Sequence, residues 1–396
     1  MKSSALSLLL CLLLLSGCTA PVAAGSATVA PAAAPTENLA LTSSSEPLPT
    51  PDRSTPLPTY GLDRPASIPI ATPSSPYPEV YVREIALQND GAPFYLAGTE
   101  LCPAGELVQH TASLSGGLWT KDQVEALGAA IAASRVPLGG LPEALLVFGL
   151  ETEGALFSAN EAIDGWECTE VFQGDYLHLS LEIEWYSGHV SLFFQRTAEG
   201  YIPWSLVDHA ATRVGGYGFL RFAGQPFMVF AWGGWGSGYH NYRTYWYNLS
   251  TRAVELCYMH SFYDEYNVAE NVFQFQERVV EQAIPVESKE ASYVELNAYL
   301  QLGAVYYNYN EVEGGDVLQY APEPDIFAAK VPIRLFYDAS ANAFYLRIPP
   351  EVYPLYSETG KAVLRFYFGE QLQALSREGH DFQQQWAATF FEDDTR

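Results

Sequence analysis

Basic side chains are scarce in this chain: 20 Lys and Arg stand against 46 Asp and Glu, a formal net charge of −26 over 396 residues. Gripping a phosphate backbone, or docking directly on anionic lipid, needs clustered Lys and Arg, so this balance excludes both. Transmembrane-length apolar runs are lacking as well. The run from Ala5 to Leu15, broken only by Ser7, covers about half of a bilayer core at roughly 1.5 Å per helical residue, too little for a stable span. Cysteine is sparse, with five in all, and no pair has the spacing of a metal site. No glycine loop has the form that cradles phosphate.

The familiar catalytic patterns are missing too. Gly234-Trp235-Gly236-Ser237-Gly238 fails as a nucleophile elbow, because that motif needs glycine two residues to either side of the serine and here those positions are Trp235 and Tyr239. Asp208-His209 near Ser205 is too local to make a triad. Acidic residues are so numerous that no carboxylate pair stands out. Asn308 to Glu311 with Glu313 and Asp316 lacks the turn glycine of a calcium loop. The sequence therefore names no catalytic residue, no metal ligand and no cofactor.

What is present begins at the front. Met1-Lys2-Ser3-Ser4, the apolar run and then Leu15-Ser16-Gly17-Cys18 have the order of a signal peptide with its charged, apolar and cleavage regions. The last four residues resemble the lipobox of bacterial lipoproteins. That resemblance covers the first 18 residues only. It implies removal of residues 1–17, acylation of Cys18, and a bilayer partner held through lipid on the extracytoplasmic face of the cell membrane. More than one acyl chain is needed there, since a single chain holds only marginally. Cys11 is lost with the signal.

From residue 19 to 78 the composition shifts: 13 of the 26 prolines fall here among Ala, Ser and Thr. Few large apolar residues are available to offset the entropy of ordering, so residues 18–78 read as the lipidated cysteine and a disordered, semi-stiff tether.

Residues 79–396 carry 17 basic and 42 acidic side chains and are long enough for one large domain or two. Tyr176, His178, Ser180, Glu182 and Glu184 alternate with Leu177, Leu179, Leu181, Ile183 and Trp185, which predicts a strand with one wet and one buried face. Ser187-Gly188 turns the chain into a partner strand from Val190 to Arg196. Short runs at 219–222, 227–232, 242–247 and 253–259, separated by turn residues, predict an antiparallel meander. A further hairpin pairs 333–337 with 344–348. Thr120-Lys121-Asp122-Gln123 has the form of a capping box ahead of Val124, Leu127 and Ile131. Ser288 to Leu302 reads as a second helix stopped by Gly303, and 370–377 as a third. The expected fold is a β-rich α+β body of antiparallel meanders, blade-like or sandwich-like, with two or three added helices. There is no βαβ series and no internal repeat.

Three cysteines follow the anchor, and Cys102 with Cys168 is the expected bridge if one forms. The segment from Trp232 to Tyr247 is the candidate ligand site. Its glycine-rich stretch 233–241 reads as a loop that presents Trp235 and Tyr239, flanked by Trp232, His240 and Tyr242. Aromatic faces with polar edges suit sugar rings or partner side chains. The expected function is non-catalytic binding of an envelope glycan or an envelope protein. An envelope hydrolase using paired carboxylates, and an envelope sensor or assembly factor, stay open as alternatives.

Overall fold

The computed structural model describes residues 77–84, 94–96, 99–102, 111–154, 160–184, 188–209, 217–236, 239–269, 272–312, 315–322, 327–347, 361–378 and 381–391. First come β1 (Glu79–Tyr81), β2 (Phe94–Leu96), β3 (Thr99–Cys102) and β4 (Thr111–Ser115), then helices α1 (Lys121–Ala133) and α2 (Leu141–Val147). A group of short strands follows: β5 (Glu151–Gly154), β6 (Ile163–Val171), β7 (Tyr176–Ile183), β8 (His189–Arg196) and β9 (Tyr201–Asp208). The chain continues through β10 (Tyr217–Phe222), β11 (Gln225–Gly236), β12 (Tyr239–Asn248), β13 (Ala253–Ala269) and β14 (Val272–Glu287). Next are β15 (Ser292–Val312), β16 (Gly315–Pro322), β17 (Phe327–Asp338) and β18 (Ala343–Arg347), then helices α3 (Lys361–Glu378) and α4 (Asp381–Ala388). All of these lie in one compact unit, Pro56–Arg396. Among the described residues no helix is long and apolar enough to cross a membrane.

Two antiparallel sheets organise these elements. The smaller has six strands in the order β5-β4-β9-β8-β7-β6. The larger runs β1-β18-β17-β15-β14-β13-β12-β11-β10, with β16 added to β15 and the β2–β3 hairpin joined to β13. The β-rich α+β reading of the sequence therefore holds.

Three buried clusters define the layers. Val124, Leu127 and Ile131 of α1, with Leu141 and Leu145 of α2, close over Leu177, Leu179, Leu181, Val190, Leu192 and Leu206 on one face of the small sheet. The other face of that sheet places Tyr176, Phe193 and Val207 against Met228, Phe230, Tyr245, Tyr247 and Cys257 of the large sheet. The far face of the large sheet gathers Phe222, Phe227, Trp246, Leu256, Leu296, Leu335 and Phe344, joined by Leu372 of α3 and by Phe390 just beyond α4.

α1 starts where the capping box places it: Thr120 Oγ1 accepts from the Gln123 amide, and the Gln123 side chain accepts from the Thr120 amide at 2.8 Å. The helix lies tight on the small sheet at Gly128, where an added Cβ would stand 2.8 Å from Leu179 Cδ1 and 2.9 Å from Trp166 Cε3.

Two expectations are corrected. Residues 288–302 form no helix. They enter β15, in which buried Val294, Leu296 and Ala298 alternate with half-buried Glu295, Asn297 and Tyr299. That period of two belongs to a strand, and Gly303 sits mid-strand opposite Phe275 rather than at a helix end. The second correction concerns β7. Its polar set is not wet: Tyr176, His178 and Ser180 are all buried, because the large sheet covers the face that the alternation assigned to solvent. Glu182, at the end of the strand, is exposed as expected, and Glu184 follows beyond it.

Candidate functional site

The glycine-rich stretch 233–241 is mostly paired strand. β11 and β12 stay in register out to Gly236 opposite Tyr239, so the link between them is only residues 237 and 238, which lie outside the described residues. Glycine makes this pairing possible. A Cβ on Gly233 would stand 1.9 Å from the Asn241 carbonyl oxygen, closer than any side chain tolerates. The glycines that resembled a loop are where two backbones run close together.

Register sorts the five candidate ligand residues onto two faces. Trp232, opposite Arg243, packs partly against the inter-sheet core, and Tyr239 falls on that same face of β12 as Tyr245. Trp235, His240 and Tyr242 fall on the other face, with Trp235 directly opposite His240. For Trp235 and Tyr239 the description stops at the backbone. The His240 and Tyr242 rings stack at 5.6 Å and 29°, both half-buried, and His240 Nε2 lies 2.8 Å from Ser261 Oγ. Burial lowers the pKa of His240, so the ring is neutral near pH 7 and available for hydrogen bonding.

This second face carries an open hollow of about 330 Å³, lined among others by Gly218, Leu220, Val229, Ala231 and Thr244, within the size range of small-ligand sites. Ala231 pairs with Thr244, Gly233 with Tyr242, and Trp235 with His240, so these positions follow one another along a single face of β11 and β12. The row continues across the sheet: Tyr242 is opposite Ser261, and His240 opposite Tyr263. The arrangement is an apolar hollow at the edge of the sheet leading onto a strip of aromatic positions with polar groups between them.

A separate polar cluster lies between the sheets. Ser191 Oγ is 2.8 Å from His178 Nε2 and 3.0 Å from His209 Nε2, and Ser180 Oγ is 3.2 Å from His189 Nδ1. One hydroxyl has one proton, so Ser191 donates to one imidazole and accepts from the other, which requires the two rings to hold complementary neutral tautomers. Tyr217 sets its ring edge-on to His178, His189 and His209, while Phe193 stacks on His178. Burial pushes His178 down to about 3, and burial also drives His209 well below its ordinary value. With Ser191 fully buried and His178 only 1 % exposed, no substrate reaches this serine. The cluster is an internal network that resists charging. His209 turns to Ser191 and not to nearby Ser205. Sequence reasoning missed this group. Its one available signal was composition, because the polar positions of β7 and β8 hold His and Ser where a solvated face usually holds Lys and Glu.

A second buried polar group comes from a bulge. Trp246 pairs with Leu256 and Tyr247 with Val254, leaving Glu255 as the extra residue. Its carboxylate accepts from Asn248 Nδ2 at 2.8 Å, Thr251 Oγ1 at 2.9 Å and Tyr337 Oη at 2.8 Å. Burial raises its pKa, and these donors oppose the rise. They tie the β12–β13 turn to β17.

Cys168 on β6 and Cys257 on β13 are both thiols in this structure, and Cys102 lies on β3, in the sheet that does not hold Cys168. The pairing expected from the sequence joins cysteines that the topology separates. Among the described residues no three His, Cys, Asp or Glu are grouped to hold a metal ion. Comparison of the chain with protein-family profiles, with curated proteins and with solved structures finds no match.

Proposed function

We propose that this chain is an exported lipoprotein, acylated on Cys18, whose β-rich body binds an envelope glycan on the β10–β12 face. The address rests on Leu15-Ser16-Gly17-Cys18 and the apolar run before it. The proline-rich stretch after Cys18 reaches on the order of 45 Å as a coil and roughly 190 Å fully extended, which lifts the body clear of the headgroups in either form.

The observation that carries the binding reading is the union of the hollow with the aromatic strip on one face. Sugar rings offer an apolar face that stacks on aromatic rings and an equatorial rim of hydroxyls that seeks polar partners. The stacked His240–Tyr242 pair beside Ser261 supplies both. The net acidity of the chain suits a neutral or cationic ligand better than a polyanionic one.

Two measurements test the reading. Cys18→Ala should move the protein from the membrane fraction to the soluble one; unchanged membrane association would refute lipid anchoring. The released chain is then applied to an array of envelope glycans, alongside Tyr242→Ala and Trp235→Ala. Loss of an aromatic anchor at a binding hot spot is worth at least about 2 kcal/mol, or roughly 30-fold in affinity. Failure of the parent chain to bind any glycan would refute the ligand class and direct the search to a protein partner by cross-linking in the membrane.

A further inference from the structure

The register of the large sheet sets two cysteines face to face. β3 joins β13 through two residue pairs, Cys257 opposite Cys102 and Tyr258 opposite Leu101. Directly opposed residues of an antiparallel pair have Cα atoms about 4.5 or 5.5 Å apart, depending on whether the pair is hydrogen-bonded. A disulfide spans roughly 4.4–6.8 Å between Cα atoms, so either kind of pair meets the requirement without backbone movement. Opposed residues also project to the same face. Leu101 and Tyr258 belong to the core on the far face of the large sheet, so the cysteines next to them occupy the face toward the small sheet, where Cys257 is fully buried.

Cys257 is a thiol in this structure; we infer that oxidation joins it to Cys102 in a cross-strand disulfide that closes β3 onto β13. Cys168, on β6 of the other sheet, stays a thiol. Burial, followed by the nearby Glu125 carboxylate, pushes its pKa up to about 11, which leaves little thiolate to attack a disulfide near pH 7. The bridge joins positions 155 residues apart, enclosing the small sheet and β10–β12 in one covalent loop. Cys257 is fully buried in the inter-sheet layer, which shields its sulfur from reductants in solution. The two thiols lose two protons and two electrons to the disulfide of an envelope oxidoreductase or of an oxidised small thiol, which leaves as the corresponding dithiol or pair of thiols. Formation in the cell rests on the proposed export, since the cytoplasm keeps thiols reduced.

Peptide mapping tests the bond. The full chain is extracted from the membrane, alkylated in denaturant without reduction, and digested with trypsin. In parallel, the Cys18→Ala chain is made by cell-free synthesis with oxidised glutathione and a disulfide isomerase, and mapped in the same way. The expected result is fragment 84–121 linked to fragment 253–278, with fragment 136–196 alkylated at Cys168, and a gain of two alkylated cysteines after reduction. The link present only in the cell-free product supports the disulfide and refutes export. Alkylated Cys102 and Cys257 in both preparations, or a link from either to fragment 136–196, overturns the inference.

Discussion

Acidification should loosen this fold before its carboxylates titrate, and His178 sets the size of the effect. The ring is 1 % exposed and its pKa falls from an ordinary 6.5 to about 3, chiefly through burial and secondarily through neighbouring His189. A depressed imidazole pKa means that the unfolded chain binds a proton which the folded chain refuses. Stability is therefore full above pH 6.5 and declines as pH falls toward 3, where the folded ring at last takes up its proton. Between pH 7.5 and pH 5 the loss from His178 alone is about 2 kcal/mol. His209, wholly buried beside it, pulls in the same direction. Glu255 works in the opposite sense, because burial raises its carboxyl pKa and protonation relieves the cost of holding it charged. Urea unfolding followed by tryptophan fluorescence at pH 7.5 and pH 5 measures the difference. His178→Gln, which keeps a side chain able to reach Ser191, should shrink that difference by about 2 kcal/mol whatever its stability at pH 7.5. An unchanged difference in the variant would refute the assignment of a neutral buried ring.

Two further substitutions probe the packing and the buried carboxylate. Gly128→Ala adds a methyl 2.8 Å from Leu179 Cδ1; the helix gains about 1 kcal/mol in propensity but overpacking costs about 1–3 kcal/mol, so thermal unfolding should show a net loss of about 1 kcal/mol. A variant more stable than the parent would show that α1 sits farther from the small sheet than described. Tyr337→Phe removes the donor to Glu255 Oε2 and should cost about 2 kcal/mol at neutral pH, as for a hydrogen bond to a charged group. In a Glu255→Gln background the same change should cost less than half as much, and additive losses in a double-mutant cycle would show that the two side chains do not interact.

Elements whose signal is local were legible in the sequence. The α1 cap is written in four consecutive residues, Thr120 to Gln123, and both of its reciprocal bonds form. The β10–β11 turn at Ala223-Gly224 has both residues at positive φ, 51° and 77°, and the flanking apolar runs made its position plain. The failures have physical causes of their own. Residues 288–302 hold Leu, Ala, Glu and Gln, good helix formers, but pairing with β14 on one side and β17 on the other overrides propensity. The stretch 233–241 looked like a loop because Gly233, Gly234 and Gly236 suit loops; in this fold Gly233 answers to the close approach of the Asn241 carbonyl on the neighbouring strand. No reading of one strand reveals what the strand beside it needs.

The same limit explains the candidate sites. Alternation along β7 identifies two faces, and Leu177, Leu179 and Leu181 meet the helices as their apolarity requires. Alternation does not say what covers the other face. A polar side chain that faces water and one that faces a second sheet differ only in how they find hydrogen-bond partners, and those partners come from distant positions. His178 finds Ser191 on β8, and Ser191 finds His209 after β9. Each residue taken singly resembles a solvated surface residue. Histidine and serine are nevertheless the polar side chains best suited to such a place, because they are neutral near pH 7 and both donate and accept. Lys or Glu there would have to bury a charge. Replacing Ser191 by Ala would leave His178 and His209 without the hydroxyl between them, inside a layer that excludes water. A central strand whose polar face carries His and Ser in place of Lys and Glu is therefore evidence for a second layer, and it points to the cover that the large sheet supplies.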